Sequence, residues 1–257
     1  MAARLATSAM RARHGAQIGP VRDDYAATRI KAMVSAALVT SPRNKTAKYY
    51  IKSAIQRGLS QAIRATGISN KKPAHGAYID IGAGKNQHDH LFSIDYAWVP
   101  GLDMVHDVTK GLPFQSETIG GIFTEHCMEH IALAQFVGIA KEFHRVLMPD
   151  RIARIVVPDG RIYIDHYLEA QSGNPVNMPG HDEDGGYPFY TPMMSVNRIM
   201  RAHGHQFIYD FETMKAILLH AGFREVTQRQ FRVGDDPKLL VDLEFRKPES
   251  LYVEGRK

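Results

Sequence analysis

Short apolar segments alternate with helical patterns from residue 75 to the end of the chain. The short segments are rich in β-branched and aromatic residues, which favour strands, and apolar residues at helical spacing occur between some of them. Predicted strands cover 77–81, 91–95, 103–107, 119–124, 153–157, 223–232 and 249–254. Predicted helices in this part cover 133–147 and 211–221. This order predicts an α/β fold with a parallel sheet and helices on its faces.

The segment 158–206 has no clear period and is rich in Gly, Pro, His and Tyr. A long connection without regular structure is usually functional. We expect it to lie over the strand ends as a lid on the substrate. Ordinary polar surface is the alternative for the same residues.

Two helical patterns precede the sheet, at 23–39 and 46–66. In the second, an apolar residue recurs at every fourth position: Ile51, Ile55, Leu59 and Ile63. Such a stripe predicts packing on the following domain, and docking on an anionic membrane surface or another polyanion is the alternative. Residues 67–73 resemble a linker. The predicted organisation is therefore a basic tail and helical extension at 1–74, followed by one domain at 75–257.

Charge separates these two parts. Residues 1–74 carry 14 Lys and Arg against 2 acids, whereas residues 75–257 carry 18 against 25, within a chain of net charge +5. The basic character thus belongs to the extension. Residues 1–20 contain no acid, and they could be a transit peptide, a polar tail or the result of a start codon placed too early.

Two further features bear on the compartment. No segment approaches the roughly 20 apolar residues that a membrane span requires. The single cysteine, Cys127, rules out an internal disulfide framework and fits a reducing compartment. We expect a cytoplasmic protein.

The first predicted strand delivers Asp80 and ends in a Gly-x-Gly turn at Gly82 and Gly84. Glycines allow a ligand to approach the backbone. A dinucleotide fingerprint would have a third glycine three residues later, where this chain has Gln87. The missing glycine weakens a dinucleotide interpretation and leaves room for a cofactor without phosphates. A tight turn after a buried strand, with no ligand, is the alternative.

Carboxylates also end the second and third predicted strands, as Asp95 and Asp107. Ligands of open α/β sheets bind outside the carboxyl ends of the strands. Asp95 is placed to accept hydrogen bonds from a ribose diol, Asp107 from an adenine amino group, and Asp80 from an amino-acid ammonium group. S-adenosylmethionine carries all three groups, whereas NAD would leave its pyrophosphate without the third glycine.

An ordered series of motifs resembles class I S-adenosylmethionine-dependent methyltransferases, in particular a bacterial group known only as predicted enzymes of this type. The resemblance covers residues 77–257 and follows the pattern "D…LPF…(E)HxLEH". The matching segments are 106–114, 123–130, 142–149, 154–159, 204–205, 209–210, 221–223 and 250–254.

The resemblance implies a Rossmann-like, doubly wound sheet of seven mostly parallel strands, with the last strand antiparallel. It also implies that Glu125 and His126, after the fourth strand, lie beside the cofactor's methyl group. Two departures bear on this. Asp150 stands where relatives have glycine and should adopt the same left-handed turn, and Lys85 must point outward if it is not to repel the sulfonium.

Methyl transfer needs a general base only when the acceptor is a hydroxyl or a protonated amine. The candidate bases are His126, Asp159 and His205. We expect the acceptor site between the end of the fourth strand and the 158–206 segment. The histidines and aromatic residues of that segment suit a sugar or another polar small molecule.

Two other functions remain open. A protein that binds the cofactor without transferring its methyl group would need the same cofactor residues. His126, Glu129 and His130 also fit H-x-x-E-H, in which two histidines and a glutamate on one helix form a zinc hydrolase site; the methyltransferase interpretation of these residues needs no metal. A nucleic-acid partner is not expected.

Overall fold

The computed structural model describes residues 47–67, 70–179 and 189–257. Residues 52–257 form one compact unit; of the unit before it, 1–51, only the first turn of a helix is described. The predicted helix at 23–39 and the tail at 1–20 lie outside the described residues. The predicted domain boundary at residue 74 stays a prediction.

The sequence placed most elements within a few residues of their observed bounds. The described α-helices are α1 (Ala47–Thr66), α2 (Leu133–Val146), α3 (Gly160–Gln171), α4 (Pro192–Arg201) and α5 (Phe211–Ala221). The strands are β1 (Ala77–Ile81), β2 (Leu91–Asp95), β3 (Met104–Val105), β4 (Ile119–Glu125), β5 (Ile152–Pro158), β6 (Glu225–Arg229) and β7 (Ser250–Arg256). None of the described helices is both long and apolar enough to cross a membrane.

The strands form one sheet in the order β3-β2-β1-β4-β5-β7-β6. Strands β1 to β5 pair in parallel, and β7 lies antiparallel between β5 and β6. The order reverses between β1 and β4, so the carboxyl ends of these strands flank the point where open sheets bind ligands. The predicted Rossmann-like sheet with an antiparallel last strand is confirmed.

Both sides of the central strands are buried, which explains their nearly continuous apolar sequences. On one side Ile79, Ile122 and Ile155 belong to the main core, which includes side chains of α2 and α5. On the other side the alternating residues, among them Phe123 and Val156, pack with side chains from the connection between β6 and β7.

A buried arginine fixes that connection. The guanidinium of Arg154 on β5 is fully buried and donates to both carboxylate oxygens of Asp242, at 2.8 and 2.5 Å, and to Glu254 at 3.1 Å. Two carboxylates around one buried cation compensate for its lost hydration. The connection therefore sits in one defined position at the carboxyl end of β4.

The expectation of an irregular segment at 158–206 is wrong for its described part. Residues 158–179 and 189–206 contain α3 and α4, which share a small core of Tyr163, Met178, Val196 and Ile199. Asp159 caps α3, and Pro192 occupies the first turn of α4. These start signals were in the sequence, but the Gly, Pro and His around them concealed the helical spacing.

The expectation that the apolar stripe of α1 packs on the domain is wrong for Ile55 and Leu59, whereas Ile63 is half-buried. Ile55 and Leu59 are 59% and 43% exposed. A polar side of the helix makes the contact instead. The Gln56 side chain donates to the backbone carbonyl of Trp98 at 3.0 Å, and the backbone N–H of Trp98 donates to the Ser60 hydroxyl at 2.8 Å. Hydrogen bonds to the loop after β2, rather than apolar burial, orient α1.

Candidate functional site

Three carboxylates converge at the carboxyl ends of β1, β2 and β4. Asp80 is only 3% exposed, and no hydrogen bond to its carboxylate is present among the described residues. Burial, and then the nearby Glu125 and Asp95, raise the pKa of Asp80 to about 8. A buried carboxylate is stabilised in its charged form by a cation or by hydrogen-bond donors. The geometry therefore fits a positively charged ligand group beside Asp80.

The glycine turn lies between Asp80 and Asp95. Gly82 and Gly84 have φ values of 83° and 51°, which glycine adopts without strain. Asp95 accepts the N–H of Gly84 at 2.9 Å on one oxygen and the N–H of Ala97 at 2.7 Å on the other. Each oxygen retains a lone pair, so Asp95 positions the turn and can still accept from a ligand.

Gln87, which stands where a dinucleotide fingerprint would have its third glycine, has a structural role. The side-chain amide of Gln87 donates to the carbonyls of Gly84 and Pro100, at 3.2 and 3.1 Å. It thereby ties the glycine turn to the loop after β2. Lys85 is exposed, which agrees with the requirement that its charge point outward.

Asp107 follows the short strand β3 and caps a 3₁₀ turn at Val108–Lys110. One carboxylate oxygen accepts from the Thr109 hydroxyl at 2.6 Å and from its N–H at 3.2 Å. The other oxygen lies 3.9 Å from Lys110 Nζ. Asp107 is thus held at the rim of the cavity beside it.

This cavity, of about 770 Å³, lies between α1 and the ends of β2 and β3. Tyr96, His106 and Asp107 line one side, and Arg57 and Arg64 of α1 line the other. The Arg64 guanidinium stacks over the Tyr96 ring, 3.8 Å from its centroid, and also donates to the Tyr96 carbonyl. The contribution of α1 to this cavity was not predicted from the sequence. The four-residue spacing of Gln56, Ser60 and Arg64 in the predicted helix could have indicated a shared polar face.

Glu125 ends β4 and interacts both with Asp80 and with the connection between β6 and β7. It contributes to the raised pKa of Asp80. Its Oε1 atom also accepts the N–H of Leu243 at 3.0 Å, from the connection between β6 and β7. Burial raises the pKa of Glu125 as well. Glu125 therefore adds negative charge to the cofactor side while it anchors that connection.

A second group of polar side chains follows β4 directly. Glu129 is fully buried, and neither of its carboxylate oxygens has a hydrogen-bond partner among the described residues. His126 Nδ1 and His130 Nε2 lie 3.6 and 3.7 Å from its Oε1 atom. The His205 ring lies across from His130, with 4.8 Å between ring centroids. The structure thus brings together His126 and His205, two of the three predicted bases.

Neighbouring hydrogen bonds define which histidine nitrogens carry protons. The Ser250 hydroxyl donates its hydrogen to the carbonyl of Arg246 at 2.8 Å, so it can only accept from His126 Nε2, also at 2.8 Å. His205 Nδ1 must likewise donate to the carbonyl of Ile199 at 2.6 Å. When neutral, His126 therefore has a bare Nδ1 and His205 a bare Nε2.

Burial dominates the electrostatics of this group. It raises the pKa of Glu129 to about 8 and lowers that of His126 to about 2. The nearby Arg246 cation and the other imidazoles further lower the pKa of His126. The pKa of His205 is lowered in the same way. At neutral pH these imidazoles are therefore uncharged, and their lone pairs can accept a hydrogen bond or bind a cation.

Asp159, the third predicted base, has a different setting. It is the N-cap of α3, and its Oδ1 atom accepts the N–H of Arg161 at 2.9 Å. Burial is the main cause of its raised pKa. No hydrogen bond joins its carboxylate to His126 or His205 in the described part of the chain. Its predicted catalytic role stays a prediction.

The H-x-x-E-H residues do not share one α-helix. Met128–His130 is a single 3₁₀ turn, and His126 precedes it with a left-handed φ of 48°. The zinc hydrolase motif relies on two histidines four residues apart on one helical face. His126 and His130 instead approach Glu129 from separate local conformations.

Comparisons with solved structures return proteins described as methyltransferases. A SAM-dependent methyltransferase from Archaeoglobus fulgidus is 14% identical, with a TM-score of 0.42, over 81% of this chain and 99% of the other. One from Thermotoga maritima, described as a possible histamine N-methyltransferase, is 14% identical with a TM-score of 0.42, over 82% and 95%. One from Mesorhizobium loti is 15% identical with a TM-score of 0.41, over 77% and 96%.

These neighbours are SAM-dependent methyltransferases, the family that the sequence motifs resemble. Neither a protein-family model nor a curated protein matches the chain. At such identities and TM-scores the likenesses carry no functional argument. The fold assignment rests on the strand order and pairing described above.

Proposed function

We propose that this protein is an S-adenosylmethionine-dependent methyltransferase that acts on a polar small molecule or a sugar. The observation that carries the proposal is Asp80, a buried carboxylate without a cationic partner among the described residues, at the turn where the sheet binds ligands. The ammonium group of the cofactor's amino-acid tail supplies the missing positive charge.

The other cofactor groups match the remaining carboxylates. Asp95 has a free lone pair on each oxygen for a ribose diol, and Asp107 stands at the cavity rim where an adenine amino group can donate to it. When bound, S-adenosylmethionine supplies an electrophilic methyl group on a sulfonium. Asp80, Asp95 and Glu125 favour this positively charged centre.

The same charges disfavour a dinucleotide. Burial and the nearby Glu125 and Asp95 raise the pKa of Asp80, which shows that the end of the sheet already disfavours negative charge. A pyrophosphate there would add repulsion, and the position of the third fingerprint glycine holds Gln87. NAD is therefore the poorer fit.

Two histidines support a site for the methyl acceptor: His126, which follows β4, and His205, which follows α4 in the chain and lies beside the end of β4. The bare Nε2 of His205 can take a proton from a hydroxyl or an ammonium. The bare Nδ1 of His126, whose pKa burial lowers to about 2, is a weak base that can accept a hydrogen bond from the acceptor. Orientation of the acceptor against the methyl group supplies most of the remaining rate, roughly 7–11 kcal/mol in favourable cases. A small polar acceptor suits the polar group around Glu129.

Thermal unfolding with S-adenosylhomocysteine and with NAD tests the cofactor. At a hundredfold excess over the dissociation constant, S-adenosylhomocysteine should stabilise the protein by roughly 2.7 kcal/mol. The D80N variant should lose this stabilisation, whereas D89N, at an exposed acid of the same β1–β2 connection, should keep it. A shift from NAD alone would overturn the assignment.

A binding protein without transferase activity would give the same thermal shift. Transfer of labelled methyl groups from S-adenosylmethionine to pooled sugars and polar metabolites separates the two functions. Label in an acceptor product supports the enzyme. Stoichiometric cofactor binding without transfer to any member of the pool would favour the binding protein.

A further inference from the structure

Three side chains at the end of β4 form a compact set of metal-binding atoms. The carboxylate of Glu129 and the imidazoles of His130 and His205 each present one ligand atom, and these atoms lie within 4.8 Å of one another. Glu129 Oε1 and His130 Nε2 are 3.7 Å apart. Ligands of one tetrahedral zinc ion are separated by roughly 3.4 Å, given bonds of about 2.0–2.1 Å. Small side-chain movements would bring the set to that spacing.

The main chain builds this arrangement. The carbonyl of Glu129 accepts the N–H groups of Gln206 and Phe207, at 2.7 and 3.2 Å. These bonds join the turn after β4 to the segment after α4, so His205 is held beside His130. Its Nδ1 donates to a backbone carbonyl, which leaves Nε2 for a ligand. Metal-binding histidines are commonly oriented by such a hydrogen bond from their second nitrogen.

The state of the Glu129 carboxylate points to a bound cation independently of the distances between the ligand atoms. It is fully buried, and neither oxygen has a hydrogen-bond partner in the part of the chain that the structure describes. Leaving a buried carboxylate without a hydrogen-bond partner destabilises a fold. The Glu129 carboxylate lies close to nitrogen atoms of His130 and His205. A cation bound by these three side chains would stabilise it.

We propose that Glu129, His130 and His205 bind one divalent transition-metal ion of the zinc class. Imidazole and carboxylate ligands together suit Zn²⁺, Fe²⁺ and Co²⁺ rather than Ca²⁺ or Mg²⁺, which prefer oxygen ligands alone. Three protein ligands leave at least one coordination position for water or another molecule, as in catalytic zinc sites. The exposed edge of His130 gives an ion access from solvent.

A hydrogen bond within the cluster is the competing explanation. A protonated Glu129 could donate to the bare Nδ1 of His126. The 3.6 Å between these atoms exceeds the 2.5–3.0 Å expected when an O–H group is the donor. The observed geometry therefore leaves the carboxylate available to a metal ion.

The position of the metal site suggests its use, and this step rests on the proposed function. Cys127, two residues before Glu129, packs directly against Gly82 of the glycine turn. A hydroxyl or amine bound at the open coordination position would thus lie near the proposed cofactor. A metal ion on His205 Nε2 would occupy the lone pair that could otherwise accept a proton. His126, whose bare Nδ1 faces the Glu129 carboxylate, would then be the imidazole left to accept a hydrogen bond from the bound hydroxyl or amine.

Metal binding can be measured without methyl transfer. The full-length protein, freed of any histidine tag and treated with a chelator, is titrated with Zn²⁺ by calorimetry and with Co²⁺ by visible absorption. We expect one equivalent to bind, with the intense d–d bands of a four- or five-coordinate cobalt ion. E129Q and H205A should each weaken binding by more than the roughly 10–100-fold that loss of an outer-shell partner costs.

Control variants separate ligation from folding. H203N changes a histidine of the same segment that contributes no atom to the set, and asparagine tolerates its left-handed φ of 59°; it should bind as the parent does. If E129Q fails to fold, H130A and H205A give the test. Binding that is absent, or that is equal in the parent and in H130A and H205A, overturns the proposal, whatever the outcome with S-adenosylhomocysteine.

Discussion

Gly82 and Cys127 pack so closely that a methyl group on Gly82 would lie 2.6 Å from both Cβ and Sγ of Cys127. The two residues come from different turns, one after β1 and one after β4. Their contact joins the turn of the proposed cofactor site to the turn that carries Glu129 and His130. Glycine at position 82 is thus required by its protein neighbour as well as by its φ of 83°.

We expect G82A to lower the free energy of unfolding by roughly 1–3 kcal/mol through overlap with Cys127, beyond the roughly 1–2 kcal/mol cost of its backbone conformation. In a C127G background the overlap is gone, so G82A should cost less there. Urea unfolding of the four proteins of this cycle measures the difference. Equal costs in both backgrounds would refute the steric explanation.

Asp80 should give the free protein a distinct pH dependence. Its pKa is about 8 in the folded state and 3.8 as a free side chain, so between these values the unfolded chain releases a proton that the folded protein keeps. Stability therefore falls as the pH rises from about 4 to 8, and the loss is complete above 8. D80N should lack the part of this loss that Asp80 causes and should be more stable than the parent at pH 9, by roughly 1–3 kcal/mol. Glu129, whose pKa burial also raises to about 8, contributes equally in both proteins.

Chemical unfolding at pH 5 and pH 9, without ligand, measures this difference. D89N is the control, because Asp89 is exposed in the same connection. The same D80N protein should bind S-adenosylhomocysteine more weakly than the parent does. A D80N protein that loses as much stability as the parent between the two pH values would contradict the assigned pKa direction.

Asp159 can be tested as a helix cap. D159A should lower the free energy of unfolding by about 0.5–2 kcal/mol, because the N–H of Arg161 loses its acceptor. D159S should restore most of that stability, since serine also caps helices. If capping is the only role, D159S should also retain methyl transfer. A stable D159S protein without transfer activity would instead support the predicted catalytic role.

The contact of α1 depends on Ser60. Its hydroxyl donates to the carbonyl of Gln56 and accepts the N–H of Trp98, so S60A leaves that N–H without its acceptor. We expect a loss of roughly 1–3 kcal/mol. Because Trp98 is the single tryptophan of the chain, its fluorescence reports the local change directly. Q61A, at an exposed neighbouring position, should leave both the emission and the stability unchanged.

Local sequence was sufficient for most of the fold. Strands β1, β2, β4 and β5 and helices α2 and α5 were predicted within two residues, because each has a clear apolar period and a start or stop signal. The left-handed turn predicted at Asp150 is also confirmed, with a φ of 63°. The carboxylates Asp80 and Asp95 could be located as well, since they end strands whose direction the alternating pattern defines.

Only the tertiary structure decided which of these residues act together. Glu129 and His205 are far apart in sequence and meet because the segment after α4 pairs with the turn after β4. His126 obtains its proton arrangement from Ser250, 124 residues away. The side of α1 that contacts the domain also depended on hydrogen-bond partners in a distant loop. A sequence period records which side chains share a face, but the partners of a polar group depend on contacts between distant parts of the chain.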